Sequence, residues 1–270
     1  MGNILWRRAL APLVWDGVCE SFFIMPGKPW ILLLITLLAL AAEPAQRPVI
    51  WAWERPEDLR FAGPGAEVAV QTGFVVLSGS GVFARGRRFP LKAAAPPATA
   101  LVHVQIDHLR PLAWTSAQRR EASGAVLAFG RAVGARRLQV DFEVRRSQRQ
   151  VLLDLLADVR RGMPEGEALS MTALASWCET EGWLAAAPVD EIVPMLFRMG
   201  PEGAALKAKL EGGGDFAEPR CRGAYAISTD TPLKRAPAGR RIYLFSPTSW
   251  TARDYQSIQG EIARWSAARG

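Results

Sequence analysis

Two acidic side chains stand two positions apart in the alternating segment Leu138–Val144. Because side chains alternate between the two faces of a strand, Asp141 and Glu143 share one face, and the other face is apolar. Carboxylates that point into a protein interior are costly unless they are paired or functional. Two neighbouring carboxylates can titrate as a coupled pair, in which one pKa rises enough for a general acid. We therefore predict that Glu143 and Asp141 are catalytic. In the alternative, they bind arginine or cap the next helix.

A second alternating segment, Leu101–Asp107, ends in another carboxylate. Asp107 is predicted to act as a base or to accept a hydrogen bond from a substrate. His103 lies on the same face and is interpreted as a satisfied interior residue. A zinc site that combines these residues with His108 is an alternative, but His108 falls on the opposite face, so we expect no metal. Asp230 follows a later strand and is predicted to be a nucleophile or base opposite Glu143.

Other strand ends carry aromatic, acidic and basic side chains. Aromatic faces stack on the apolar faces of sugar rings. These strand ends therefore predict contacts with a carbohydrate. The alternative for the tryptophans is ordinary packing in the core or at its rim. The predicted substrate-binding residues are Trp53, Glu54, Arg55, Asp107, Trp177, Arg198 and Trp250.

Eight strand segments alternate with helices along the chain. Helices with clear start signals, a capping box or a proline in the first turn, follow only the third, fourth, sixth and eighth segments. Such alternation predicts a parallel sheet. We predict an α/β fold, an irregular (β/α)8 TIM-like barrel that forms a single domain over residues 43–270, with an open doubly wound sheet as the alternative. Active sites of such barrels lie at the carboxyl ends of the strands. The predicted strands cover residues 49–53, 67–78, 101–107, 138–144, 169–174, 192–197, 224–228 and 242–245.

That barrel separates the two cysteines of the predicted domain. Cys178 would lie just past the carboxyl end of the fifth strand, and Cys221 would lie at the start of the seventh. A disulfide needs Cα atoms within about 7 Å of each other. We therefore expect these residues to be too far apart to bond, and a bond would indicate that the predicted register is wrong.

The first 42 residues have the pattern of a leader. The apolar run Ile31–Ala42 follows Lys28 and contains the small-residue cleavage pattern Ala39-Leu-Ala41. This pattern is typical of a secretory signal peptide over residues 25–42. Residues 1–24 are either an over-extended start before Met25 or a real leader that lengthens an anchor. We expect an exported protein, periplasmic or extracellular, that touches a membrane only if residues 31–42 stay uncleaved.

The composition excludes several classes of protein. The 270 residues carry 33 Lys and Arg against 26 Asp and Glu, a net charge of +7, and 49% are hydrophobic. These values exclude a disordered chain and a multispan membrane protein. The export signal and the absence of a binding motif disfavour nucleic acid. A G-x-G-x-x-A pattern begins at Gly79, but no helix can follow it, so no cofactor is expected.

A series of short motifs in fixed order resembles an exported bacterial family of unknown function. The resemblance covers roughly residues 49–250 and implies no particular activity. Its motifs are Trp51-Ala-Trp-Glu-Arg-Pro56 with Asp58-Leu-Arg60, Leu138-Gln-Val-Asp-Phe142 with Ser147-Gln-Arg149, residues 169–178, residues 189–195, Phe197-Arg-Met-Gly200 and Ser228-Thr-Asp230.

A more distant resemblance is to barrel glycoside hydrolases of chitinase type. Their fourth strand carries the pattern D-x-x-D-x-D-x-E, and Asp141-x-Glu143 is similar to its end, while Arg136 and Gln139 replace the earlier acids. Their sixth strand carries Met-x-Tyr-Asp, which Met195-x-Phe197-Arg198 half matches. The resemblance implies that Glu143 protonates a glycosidic oxygen and that Asp141 orients the substrate. The expected ligand is a glycan of the cell envelope or the exterior, and the alternative is a non-catalytic glycan-binding or scaffold protein.

Overall fold

The structure is a computed structural model that describes residues 47–179, 182–199 and 202–267. The chain divides into two units, Met1–Pro44 and Ala45–Gly270. The predicted leader, with its signal peptide at 25–42 and possible anchor at 31–42, lies outside the described residues. Within the described ranges, no helix is both long enough and apolar enough to cross a membrane.

Eight parallel strands form a closed barrel, which confirms the predicted TIM-like fold. Each barrel strand pairs with the next one along the chain, and β1 pairs with both β3 and β11 to close the ring. Strands β2, β4 and β5 lie outside this ring. The strands in the described residues are β1 (Val49–Ala52), β2 (Glu57–Asp58), β3 (Glu67–Ser78), β4 (Gly81–Gly86), β5 (Leu91–Lys92), β6 (Thr99–Ile106), β7 (Arg137–Asp141), β8 (Ala168–Leu174), β9 (Glu191–Met195), β10 (Ala224–Ser228) and β11 (Arg241–Phe245).

Four α-helices follow the third, fourth, sixth and eighth barrel strands, as predicted. The first begins where the capping signal places it, because the Thr115 hydroxyl accepts a hydrogen bond of 3.2 Å from the Gln118 amide. The second begins slightly later than its signal at Ser147, since a 3-10 turn precedes it. The α-helices in the described ranges are α1 (Ser116–Gly130), α2 (Arg149–Gly162), α3 (Gly203–Glu211) and α4 (Ala252–Ala267).

The barrel interior is partly polar, and its polar groups satisfy one another. The Trp51 indole donates to Gln139 at 2.7 Å, and the Gln139 amide donates to the Ser170 hydroxyl at 2.9 Å. Ser170 and Tyr243 both donate to Glu191, at 3.0 and 2.6 Å. Burial and the charge of Glu191 raise the pKa of Tyr243, so its hydroxyl stays a donor. Because buried polar groups need partners, these hydrogen bonds fix the side chains in a layer inside the barrel, below the strand ends.

Residues 79–100 contribute two of the additional strands. A turn at Gly79, with φ of 58°, lets β4 return antiparallel to the second half of β3. The short strand β5 then pairs with β2. This hairpin stands over the carboxyl ends of the barrel strands and brings basic residues to them.

The expectation that Cys178 and Cys221 are too far apart is wrong. They form a disulfide with Cα atoms 6.0 Å apart, and the barrel register nevertheless stands. No α-helix separates β8 from β9 in the described chain; instead, a 3-10 turn at Ala175–Cys178 directs the chain back along the barrel. A second 3-10 turn, Pro219–Arg222, lies before β10, and both turns contact β9. The two cysteines therefore meet beside the same strand, where both are fully buried.

Candidate functional site

A cavity of about 350 Å³ opens at the carboxyl ends of the barrel strands. Most of its lining comes from strand ends and from the residues that directly follow them, where barrel enzymes carry their active sites. Six of the residues predicted from sequence line it. The lining residues are Trp53, Glu54, Arg55, Gln71, Phe74, Arg85, His103, Asp141, Glu143, Met195, Phe197, Arg198 and Phe245.

Asp141 is a buried carboxylate held by two neighbouring strands. It pairs across the β6–β7 ladder with His103, and the two side chains meet with Nδ1 and Oδ2 2.5 Å apart. From β8, the Thr172 hydroxyl donates to the other carboxylate oxygen at 2.6 Å. Only 6% of the Asp141 side chain is exposed. These contacts fix the position of the Asp141 carboxylate in the cavity wall.

His103 lies between the buried acid and the cavity. Burial lowers its pKa, but the hydrogen bond to Asp141 and the charges of Asp141 and Glu143 outweigh burial, so the net pKa is raised. The imidazole stacks on Phe74 with ring centres 4.8 Å apart, and the edge of Trp53 lies 6.0 Å away. The satisfied interior residue expected from sequence is therefore also part of the cavity wall.

Glu143 stands at the cavity mouth, two residues beyond Asp141 on the same face. Its side chain is 44% exposed, and its Oε1 lies 4.0 Å from the Arg198 Nε. Burial and the charge of Asp141 raise the pKa of Glu143, against the opposing charges of Arg198 and His103. Glu143 is therefore protonated to a higher pH than an ordinary glutamate, as a general acid requires.

Aromatic rings form the opposite wall of the cavity. Phe197 and Phe245 follow or end β9 and β11, and their rings stack with centres 4.7 Å apart and planes 10° apart. Trp53 meets Phe245 edge to face at 6.1 Å. These rings give the cavity an apolar surface of the kind that accepts the face of a sugar ring.

The β4 hairpin contributes an ion pair to the rim. The Arg85 guanidinium donates to Glu54 at 3.0 Å and lies 5.0 Å from the centre of the Phe74 ring. The Arg88 amide donates to the other Glu54 oxygen at 2.8 Å. Both Glu54 oxygens are thus engaged, so this carboxylate holds the hairpin against the barrel.

Arg87 fixes the chain that leaves β1. Its guanidinium donates to the carbonyls of Ala52, Trp53 and Arg55, at 3.1, 2.6 and 2.7 Å. The Arg55 side chain in turn donates to Glu57 at 2.8 Å. Arg87 therefore holds in place the part of the cavity wall that follows β1.

Four of the predicted site residues do not line the cavity. Asp107 accepts hydrogen bonds from Ser78 and from the Leu109 amide, and Asp230 accepts one from Ser228 in a turn after β10. The last two are tryptophans in the packed core outside the barrel: Trp177 contacts the Trp183 ring with ring centres 5.2 Å apart, and Trp250 donates to the Trp51 carbonyl at 3.0 Å. The structure thus brings Asp141 together with Glu143, but it places neither Asp107 nor Asp230 in the cavity lining.

The alternative metal site has no support in the described parts of the chain. No group of three or more His, Cys, Asp and Glu side chains in those ranges is arranged to hold a metal ion. His103 instead bonds the buried acid, and Asp107 is occupied by a hydroxyl and a backbone amide.

Sequence reasoning missed Phe74 because the strand that carries it is irregular. The pairing of β3 with β6 shifts by one residue between Gln71 and Gly73. Because of this bulge, Gln71 and Phe74 both face the cavity, although side chains three positions apart in a regular strand face opposite sides. A side chain at Gly73 would collide with the Phe129 ring of α1, at 2.1 Å from its Cβ position. The glycine is the only local signal of the irregularity.

Comparison of the chain with protein-family models, with curated proteins and with solved structures found no match. The two resemblances described above therefore stay predictions. The function proposed below is derived from the cavity and its side chains.

The raised pKa of His103 predicts a pH-dependent contribution to stability. Protonated His103 stabilises the folded state through Asp141; this contribution is full below its ordinary pKa of 6.5 and is lost as pH rises through the raised value. We expect the free energy of unfolding to fall less between pH 6 and pH 9 in His103→Gln than in the wild type, as measured by urea denaturation. His108→Gln is the matched control, since His108 is exposed and is the other histidine of the chain. An unchanged pH dependence in His103→Gln would contradict the pairing.

Proposed function

We propose that this protein is an exported glycoside hydrolase in which Glu143 is the general acid. One observation carries the proposal. Glu143 stands at the mouth of an aromatic-lined cavity, beside the buried Asp141, and both burial and that neighbouring charge raise its pKa. A carboxylic acid that stays protonated next to a fixed carboxylate is the arrangement with which glycosidases break glycosidic bonds.

The reaction follows from the positions of the two acids. Glu143 gives its proton to the glycosidic oxygen as the bond from that oxygen to the anomeric carbon breaks. Positive charge develops on the sugar ring in the transition state. Water then adds its hydroxyl to the anomeric carbon and returns a proton to Glu143, so that the acid is regenerated and one water is consumed.

Asp141 supplies fixed negative charge to this reaction. Its two oxygens are held by His103 and Thr172, so it does not reorganise when the positive charge appears on the sugar. It also orients the substrate through its remaining lone pairs. The two-carboxylate arrangement of Glu143 with Asp230 is not part of this proposal, because Asp230 does not line the cavity.

The Cys178–Cys221 disulfide supports the export part of the proposal. Disulfides persist in oxidising compartments such as the periplasm and the exterior, and they are rare in the cytosol. Residues 25–42 would serve as the signal, with residues 31–42 as an anchor if cleavage does not occur. The proposed ligand is a glycan of the envelope or the exterior.

A second function is favoured by one feature of the same site. Both Asp141 oxygens already have partners, and Arg198 lies near Glu143, so the acids are partly neutralised. A protein that binds glycans in this cavity and cleaves none would show the same contacts. The two functions differ in whether new reducing ends appear.

The raised pKa of Glu143 predicts the pH dependence of catalysis. Only the protonated form donates, so kcat/KM for a glycan with an unactivated leaving group should fall as pH rises through the raised pKa. A dinitrophenyl glycoside of the same sugar is the control. Its leaving group needs no proton, so the alkaline fall in the bond-breaking step should disappear. A glycan whose hydrolysis is constant from pH 4 to pH 9 would contradict the assignment of Glu143.

A further inference from the structure

Three arginines line the cavity, and two of them are engaged in holding the fold. Arg55 donates to Glu57 at 2.8 Å and to the carbonyls of Ser246 and Pro247 at 2.5 and 3.1 Å. Arg85 donates to Glu54 and lies over an aromatic ring. The positive charges of both side chains therefore have fixed partners in the protein.

Arg198 differs from both. Its side chain is 63% exposed, and its nearest acidic atom, Glu143 Oε1, lies 4.0 Å from its Nε, beyond hydrogen-bond distance. Within the described residues its guanidinium makes no hydrogen bond. Its backbone, by contrast, is fixed, because its amide donates to Met195 and its carbonyl accepts from Ala175, at 3.1 and 3.2 Å. An exposed guanidinium on a hydrogen-bonded backbone at a cavity mouth is suited to an arriving ligand.

Among the described residues, Arg198 has no charged acidic partner when Glu143 is protonated. The proposed reaction requires Glu143 in its neutral, protonated form. Asp141, the other acid in this part of the cavity, is already bonded to His103 and Thr172. An anionic group on the ligand would supply the missing partner, and guanidinium matches the planar geometry of a carboxylate in particular.

We propose that Arg198 binds a carboxylate carried by a sugar of the ligand, so that the substrate is an acidic glycan. This inference rests on the proposed function and names its substrate class. The stacked rings of Phe197 and Phe245 lie next to Arg198 and would receive the apolar face of the same sugar. Without the predicted leader, residues 43–270 carry 30 Lys and Arg and 24 Asp and Glu, and this net charge of +6 also favours the approach of an anionic polymer.

The test compares binding of matched acidic and neutral glycans. The probes are tetrasaccharides that carry carboxylates, made of uronic acids, of muramic-acid repeats or of sialic acids, and the same tetrasaccharides after reduction of each carboxylate to an alcohol. Binding is measured by calorimetry in Glu143→Gln, which leaves the ligand intact. We expect at least one acidic probe to bind about 10-fold more tightly than its reduced form, since a hydrogen bond between two charged groups is stronger than one to a neutral hydroxyl.

Arg198→Gln in the same background should remove this preference while it leaves binding of the reduced probes unchanged. Arg60→Gln is the matched control, because the Arg60 side chain is also 63% exposed, does not line the cavity, and its replacement changes the net charge equally. Equal affinity for acidic and reduced probes, equal weakening of both by Arg198→Gln, or binding of neither set would overturn the inference.

Two outcomes separate this inference from the proposed function. If the wild type hydrolyses a neutral glycan, the proposed hydrolase function holds even when the inference of an acidic ligand fails. If the protein cleaves nothing but prefers carboxylates through Arg198, the inference of an acidic ligand holds and the hydrolase function is wrong.

Discussion

Glu143→Gln should lower kcat for glycan hydrolysis by about 10²–10⁴-fold, the range that general acid catalysis contributes. Glutamine keeps the shape of the side chain and its contacts with a bound sugar, but it has no proton to give to the leaving oxygen. The Kd for the same glycan should therefore change little. Rates of reducing-end release and equilibrium binding, measured on one glycan, separate these two effects.

Two controls sharpen this result. Glu165→Gln removes an exposed glutamate outside the cavity and should leave kcat unchanged. A dinitrophenyl glycoside should be cleaved by Glu143→Gln much faster, relative to wild type, than the natural glycan, because its leaving group departs without protonation. If Glu143→Gln retains wild-type kcat on the natural glycan, Glu143 is not the acid.

Removal of the Cys178–Cys221 disulfide should lower the free energy of unfolding by about 4 kcal/mol, as the chain-entropy model gives for a loop of this length. The two cysteines are 43 positions apart, and the bond ties together the segments on both sides of β9. The double variant Cys178→Ala/Cys221→Ala measures the loss by urea denaturation. Because both side chains are fully buried, the loss also contains a contribution from packing. Wild-type protein unfolded in a reducing buffer is the control that keeps the side chains.

The reduced wild type and the double variant should agree to within about 1 kcal/mol if the covalent bond is the main source of the loss, since each change of cysteine to alanine removes only one non-hydrogen atom. A double variant as stable as the oxidised wild type would show that the bond does not form in solution. In that case the disulfide would no longer support export.

Where a strand is regular, the local sequence periodicity was sufficient to predict which side chains face the cavity. The alternation in Leu138–Val144 predicted that Asp141 and Glu143 face inward while Val140 packs outward, and the structure agrees, because β7 has no bulge and both faces are covered. The positions of the eight barrel strands followed from the same reasoning. Seven of the eight strands have four to eight residues of largely apolar or alternating sequence, so the local preferences and the fold coincide.

Periodicity failed where distant contacts decide the geometry. Phe74 reaches the cavity only because β3 bulges where Gly73 meets a ring of α1, a residue more than fifty positions away. Arg85 and Arg87 line or brace the site because β4 folds back over the strand ends, which composition alone does not indicate. The distance between the two cysteines is short because a 3-10 turn and not an α-helix follows β8. The prediction placed the two cysteines at opposite ends of the barrel strands.

The most direct test of the proposed function is the release of new reducing ends from a panel of envelope and extracellular glycans by the purified wild-type protein. The account predicts cleavage of at least one of these glycans, with an acidic sugar at the cleaved position, and loss of that cleavage in Glu143→Gln. Binding of a glycan without any cleavage, at any pH between 4 and 8, would contradict the hydrolase and favour a glycan-binding protein.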